Sequence, residues 1–162
     1  MNTKVHQAYI AVGSNLGDRG GYIHSARRLL QADAGIELNG ESSVIETEPL
    51  GGVAQNNYLN TIWRVSTTYT PIALLEVLLS IEHGLGRRRG ERNASRIIDL
   101  DILFYDTQII RQPDLVVPHE RLHERDFILA LMCEFDAELR HPVFQKTIRQ
   151  LLEELRNESC KD

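Results

Sequence analysis

The sequence predicts a mixed α/β (α+β) domain with β-α-β-β-α-β element order, and three observations carry that expectation. A short apolar run, Ala8 to Val12, gives way to turn formers and then to helical spacing. Two segments rich in β-branched and aromatic residues follow, over 36–47 and 58–68. A mostly apolar helical stretch then leads, through a basic segment, into a cleanly alternating strand.

Taken in order, Ala8 to Val12 reads as a buried strand that ends in Gly13-Ser14-Asn15-Leu16-Gly17-Asp18, a cluster of turn formers and helix caps. Tyr22, Ile23, Ala26, Leu29 and Leu30 then repeat at helical spacing from Arg19 to about Ala32, with Gly35 as a stop. The segment between the next two strands holds Pro49, Gly51, Gly52 and Asn56 and predicts a long loop. Thr70 and Pro71 cap and open a second helix that runs to about Glu82, with Gly84 and Gly86 ending it. In the strand over 96–104, alternation sets Ile98, Leu100, Ile102 and Phe104 on one face and Asp99 with Asp101 on the other. A hairpin-like region over 105–117 and helices near 124–131 and 147–155 complete the chain.

At 162 residues the chain has the length of one domain able to bury its own core, so 1–162 is expected to be a single domain. The net charge of -5 gives no overall attraction to nucleic acid or an anionic membrane, so any basic site is local. Cys133 and Cys160 are too few for a disulfide framework. The N-terminal residues carry no signal-peptide apolar region, and no apolar stretch approaches membrane-spanning length. A cytoplasmic location is expected.

Two aspartates two residues apart on one strand face bring their carboxylates close enough to ligate one or two Mg²⁺ ions. Taken alone, such a pair is more often an exposed strand face making surface ion pairs. Just upstream, Arg87, Arg88, Arg89, Arg92 and Arg96 concentrate positive charge that an anion would relieve; a basic run by itself is more often a solvated loop. Together, acids that hold metal and arginines that hold anions suit a polyphosphate. Glu82, at a helix C-terminus where the macrodipole disfavours a carboxylate, either has a cationic partner such as Arg87 or Arg89 or faces solvent. Tyr58 and Phe127 are flat surfaces that could sandwich a heterocycle or simply lie in the core.

His119-Glu120-Arg121-Leu122-His123 matches HExxH, the zinc protease pattern, yet Pro118 stands directly before it and the longer continuation is missing. His119 and Arg125 could instead reach phosphate oxygens. A zinc protease and a nucleic-acid-binding module using the arginines are the competing readings.

The run Arg92-Asn93-Ala94-Ser95-Arg96-Ile97-Ile98-Asp99-Leu100-Asp101-Ile102-Leu103 resembles the signature of the 6-hydroxymethyl-7,8-dihydropterin pyrophosphokinase family. The resemblance extends to Gly13-Ser14-Asn15-Leu16, Thr47-Glu48-Pro49-Leu50-Gly51, Tyr58-Leu59-Asn60, Glu82 with Arg87 and Arg89, Pro118-His119, and Arg125-Asp126-Phe127. It implies a ferredoxin-like β-α-β-β-α-β core with helices on the sheet. It also implies transfer of diphosphate from MgATP to the dihydropterin in folate biosynthesis, with two Mg²⁺ ions on Asp99 and Asp101.

By the same resemblance, Arg87, Arg89 and Arg96 join the aspartates in catalysis and, with His119 and Arg125, contact the triphosphate. Glu82 would help place arginines or ribose, and Ile102 and Val116 would line the adenine site. Thr47, Leu50, Tyr58, Asn60, Asp99 and Phe127 correspond to the pterin pocket. ATP and the dihydropterin are the expected partners, with no nucleic acid or membrane, and a monomer is expected. The family often has tryptophan at the position of Asn93, proline at Ser95 and another side chain at Glu120, which implies altered loop closure over the pterin rather than a different reaction.

Overall fold

A computed structural model describes residues 4–49, 56–86 and 97–160. Strand β1 (His6–Ser14) leads into helix α1 (Arg19–Ala32), then β2 (Ile36–Glu41), β3 (Ile45–Thr47) and β4 (Tyr58–Thr67). Helix α2 (Pro71–Gly84) and strand β5 (Asp99–Tyr105) follow, then the β6 (Ile110–Gln112) and β7 (Leu115–Val117) hairpin. A 3-10 turn (Leu122–Glu124) and helices α3 (Asp126–Asp136) and α4 (Ile148–Ser159) close the order. The main sheet runs β2-β4-β1-β5, antiparallel throughout, with β3 also pairing with β4. Apart from the short β3, the core has the expected β-α-β-β-α-β order and the ferredoxin-like arrangement that the resemblance implied.

The sheet is apolar on both faces, which explains why Ala8 to Val12 reads as a continuous apolar run. On the first face Ala8, Ile10 and Val12 join Trp63, Val65, Leu100 and Ile102 against α1 and α2, which contribute Ile23, Leu30, Leu74 and Leu78. On the second face Tyr9, Ile62, Leu103 and Phe104 meet Leu129, Met132, Ile148 and Leu151 of α3 and α4. This second core lies toward one end of the strands. The remainder of that face is free to carry polar side chains.

Local signals set the helix starts. Asp18 accepts the N–H of Gly21 at the start of α1, and Thr70 accepts that of Ala73 ahead of Pro71. Thr147 and Gln150 form a reciprocal capping box on α4. The ends follow tertiary packing instead: α2 continues through Gly84, and it is Gly86, at φ +96°, that makes the left-handed turn. Helix α3 starts two residues later than expected and runs to Asp136, burying Met132.

Two strand expectations need correction. Ile10 pairs with Ile102 but Tyr9 pairs with Phe104, so Leu103 is an extra residue in β5. This bulge turns Phe104 onto the face of Asp99 and Asp101, away from Ile98, Leu100 and Ile102. The expected single strand over 36–47 is two, because the chain leaves the ladder after Ser42. Ser42 still bonds Ile62 through its N–H and its hydroxyl, whereas the N–H and hydroxyl of Ser43 turn to Glu134 on α3.

His141, 3% exposed, lies against Phe104 and Phe144 with ring centroids 5.8 and 4.4 Å away. Its Nδ1 accepts the N–H groups of Val143 and Phe144, and burial, aided by nearby His123, pushes its pKa down to about 4. An unfolded histidine titrates near about 6.5, so between these values the unfolded chain binds more protons and stability is lost as pH falls. The stabilisation is fully present above about pH 6.5. We expect the thermal midpoint to drop on acidification from about pH 7 toward about pH 4, and His141→Phe to flatten that dependence even if it lowers the midpoint overall. An unchanged pH slope in the variant would contradict this assignment.

Candidate active site

The uncovered end of the second face becomes a cleft because strand register lines up particular side chains there. Across the sheet, Gly13 of β1 pairs with Asp99 on β5 and with Asn60 on β4. One step along, Ala11 pairs with Asp101 and with Ile62. Neighbouring strands lie about 4.8 Å apart, so Asp99 and Asn60 stand roughly 10 Å apart with Gly13 between them. A Cβ on Gly13 would sit 3.3 Å from Asn60 Oδ1 and 3.5 Å from Tyr58 Cδ1. The missing side chain keeps the floor of the cleft low.

Asp99 and Asp101 form one wall, and Thr47, Tyr58 and Asn60 the other. Arg125 and Phe127 border it from the start of α3. Asn60 donates its side-chain N–H to Thr47 Oγ1 at 2.6 Å, which fixes the amide's orientation. The entrance to β4 is tied down as well: Asn15 donates to the carbonyl of Asn56, and Arg19 bonds both the carbonyl of Asn57 and Glu46. The β1–α1 turn therefore braces the wall that carries Tyr58.

Both aspartates are half-buried and share one face of β5, separated by about 7 Å of strand rise. Among the described residues no group of three or more His, Cys, Asp or Glu side chains is gathered to hold a metal ion. An oxygen-only pair bordering an open cleft fits Mg²⁺, which is typically held by one or two carboxylates with substrate phosphates and water completing its shell.

Glu82 is only 4% exposed, and its Oε1 accepts the N–H of Leu100 at 2.7 Å. Leu100 stands between the two aspartates, on an edge strand whose outward N–H groups have no ladder partner. The buried glutamate thus holds the peptide that spaces the acid pair, and it does not border the cleft.

Beside Asp101 the cleft passes into a second hollow, where Ile102 and Val116 come together with Leu75 and Leu115. His119 lies at its edge, anchored by its N–H to the carbonyl of Leu103 at 2.9 Å. The His119 Nδ1 accepts the N–H of Arg121, which leaves the ring's Nε2–H to donate. Burial, then the charge of Arg125, lowers its pKa, with Asp99 opposing. Near neutral pH it is a neutral donor.

The HExxH expectation fails on geometry. Histidines at i and i+4 reach one ion when a helix stacks them a turn apart, whereas here only Leu122–Glu124 adopt a 3-10 turn. The His123 ring packs on Phe144 at 4.7 Å, and the Nδ1 of His119 is taken by the N–H of Arg121.

Of the expected site residues, the structure therefore brings together Thr47, Tyr58, Asn60, Asp99, Asp101, Arg125 and Phe127 around one cleft. It brings Ile102, Val116 and His119 together around the adjoining hollow. Glu82 lies behind β5. Leu50, Arg87, Arg89 and Arg96 lie outside the described residues. Gly13 and Ala11 were not among the expected site residues. Gly13 stands in the Gly13-Ser14-Asn15-Leu16 motif, and strand alternation counted back from it would have put both on the cleft face.

A ferredoxin-like sheet whose acid pair stands where a cleft adjoins a second hollow fits a transferase of phosphorylated groups. Residues 9–137 match the model of 7,8-dihydro-6-hydroxymethylpterin-pyrophosphokinase (HPPK), and the chain belongs to that family. It is 42% identical to the 2-amino-4-hydroxy-6-hydroxymethyldihydropteridine pyrophosphokinase of Bacillus subtilis over 127 residues, 78% of this chain and 76% of that protein. With the enzyme of the same name from Methylorubrum extorquens it shares 37% identity over 149 residues, 92% of this chain and 93% of the relative. Among solved structures, wild-type Plasmodium falciparum HPPK-DHPS with pterin and p-hydroxybenzoate superimposes with a TM-score of 0.76 at 17% identity, over 99% of this chain. That likeness shows the shared fold; the present chain spans 45% of the larger protein.

Removing the buried acceptor behind β5 separates its structural role from charge. Glu82→Ala leaves the Leu100 N–H without its partner and is expected to lower stability by about 1–3 kcal/mol, while Glu82→Gln, which keeps an acceptor oxygen, loses clearly less. Urea denaturation of the two variants measures the difference; equal losses would contradict the assigned bond.

Proposed function

We propose that this chain transfers the diphosphate group of MgATP to 6-hydroxymethyl-7,8-dihydropterin, releasing AMP, as a step of folate biosynthesis. The observation that carries this reading is the position of Asp99 and Asp101, on one face of β5, where the cleft meets the adjoining hollow. Adenine occupies the hollow against Ile102 and Val116, and the pterin lies in the cleft. The pterin's amide-like edge faces Asn60, Thr47 and the Leu50 segment, and its faces meet Tyr58 and Phe127. The polyphosphate crosses between them beside the acid pair.

Asp99 and Asp101 hold the divalent cations, two Mg²⁺ ions in our reading, with ATP phosphate oxygens as the other ligands. When bound, the metal supplies positive charge that neutralises the polyphosphate and polarises the β-phosphoryl group. The chain's own contribution is positioning. His119 and Arg125 donate to phosphate oxygens, and Arg87, Arg89 and Arg96 supply further cations as charge develops. Glu82 acts on this set by holding β5 in place. The hydroxymethyl oxygen attacks the β-phosphorus in line. The bond from that phosphorus to the α,β-bridging oxygen breaks, AMP leaves with that oxygen, and the hydroxyl proton passes to solvent.

Residues 1–162 act as one unit, a cytoplasmic monomer that needs neither nucleic acid nor membrane in this reading. Among the described residues no helix is long and apolar enough to cross a membrane.

The decisive assay incubates the protein with MgATP and the dihydropterin and follows AMP. Asp99→Ala and Asp101→Ala are each expected to lower the rate roughly a thousandfold or more. Arg89→Ala should reduce turnover more than nucleotide affinity. Full AMP release without either aspartate would end the proposal.

A further inference from the structure

Behind the segment that carries His119 lies another cavity of about 530 Å³, which shares Val116 and His119 with the adenine hollow and is otherwise lined by residues that the transfer reaction does not use. Ile109 and Arg111 of the β6–β7 arm border it on one side, Val143 and Phe144 of the loop before α4 on the other, and His123 and His141 line it as well. We propose that this cavity is a second ligand site, taking a small aromatic anion.

Its apolar character is concentrated rather than scattered. Nine large apolar side chains are exposed among the described residues, and four of them, Ile109, Val116, Val143 and Phe144, border this one cavity. A solvent-facing apolar patch of this kind marks a surface that binds something. The rings also suit a flat body: Phe144 meets His123 edge-on at 4.7 Å and lies along His141 at 4.4 Å.

The polar groups select the sign of the ligand. His141 is almost wholly buried and spends its Nδ1 on the N–H groups of Val143 and Phe144, so its proton is on Nε2. That N–H meets no protein acceptor among the described residues. Arg111, at the mouth, makes no ion pair among the described residues either. A buried donor and an unpaired guanidinium call for an acceptor-bearing anion on an aromatic frame. Glu120, the one carboxylate in the lining among the described residues, stands on the wall shared with the adenine hollow and makes no ion pair with Arg111.

The test is a fluorescence titration of the full chain with 1-anilinonaphthalene-8-sulfonate. A saturable, single-site enhancement is expected that saturating MgATP does not displace. Arg111→Gln and Phe144→Ser should each weaken it roughly tenfold, whereas Leu79→Ser, which removes an exposed apolar group on α2, leaves it unchanged. All three variants should still release AMP with the dihydropterin, which reports their folding. Should Phe144→Ser lose its cooperative melting transition, Arg111→Gln decides alone. No saturable signal, equal binding by Arg111→Gln and the parent, equal weakening by Leu79→Ser, or displacement by MgATP would each overturn the site. The displacement arm rests on the nucleotide reading; the substitution arm does not, so loss of AMP release in the parent chain would reject that reading and leave the cavity to be judged on its own.

Discussion

The pairing of β1 with both β4 and β5 is the constraint on which the site depends. Side chains in a sheet alternate with a period of two, so a slip of one residue would carry Asp99 and Asp101 to the face packed on α1 and α2. Register here is strongly specified because both faces bury apolar side chains. Moving Ile10 or Ile62 to the opposite face would disrupt one of two cores. The core thus positions the carboxylates and Asn60 without touching them, and Gly13 keeps the space between them open.

Electrostatics explains why the acid pair belongs beside an anionic substrate. Two like charges about 7 Å apart at an effective dielectric of about 20 repel by roughly 2 kcal/mol. A divalent cation bound between them would turn that repulsion into attraction. With a net charge of -5, the chain has no general attraction for a nucleotide, so the affinity must come from a local arrangement. The neutral His119 suits such a place: burial and Arg125 hold its proton affinity down, and it can donate to phosphate without adding another charge to desolvate.

Much of this was legible in the sequence because it rests on local patterns. Alternation from Ile98 to Ile102 put both aspartates on one face, and the caps at Asp18 and Thr70 marked two helix starts. The family motif assembled Thr47, Tyr58, Asn60, Arg125 and Phe127, which lie far apart in the chain but line one cleft. What was not legible depends on partners distant in sequence. The extra residue at Leu103 exists only in relation to β1, so alternation alone carried Phe104 to the wrong face. The break at Ser43 is drawn by Glu134, ninety-one residues later. Glu82 does have a partner, as its unfavourable helix end suggested, and one that lies across the α2–β5 contact: the backbone N–H of Leu100, which no reading of side-chain charges alone would name.

Strand β5 emerges as the common reference for every functional part. Its inner edge bonds β1, its outer N–H at Leu100 is held by Glu82, and its carbonyl at Leu103 holds the N–H of His119. The bulge at Leu103 therefore does more than redirect Phe104. It turns that ring toward His141 at 5.8 Å, while the Leu103 carbonyl anchors the segment that borders both the hollow beside Asp101 and the second cavity. Interiors packed to crystal-like density pass small shifts along rather than absorbing them. A ligand that moved Phe144 or His141 would press on Phe104 and on the strand that carries Asp99 and Asp101, so the two sites share a mechanical frame even though no residue of the acid pair borders the second cavity.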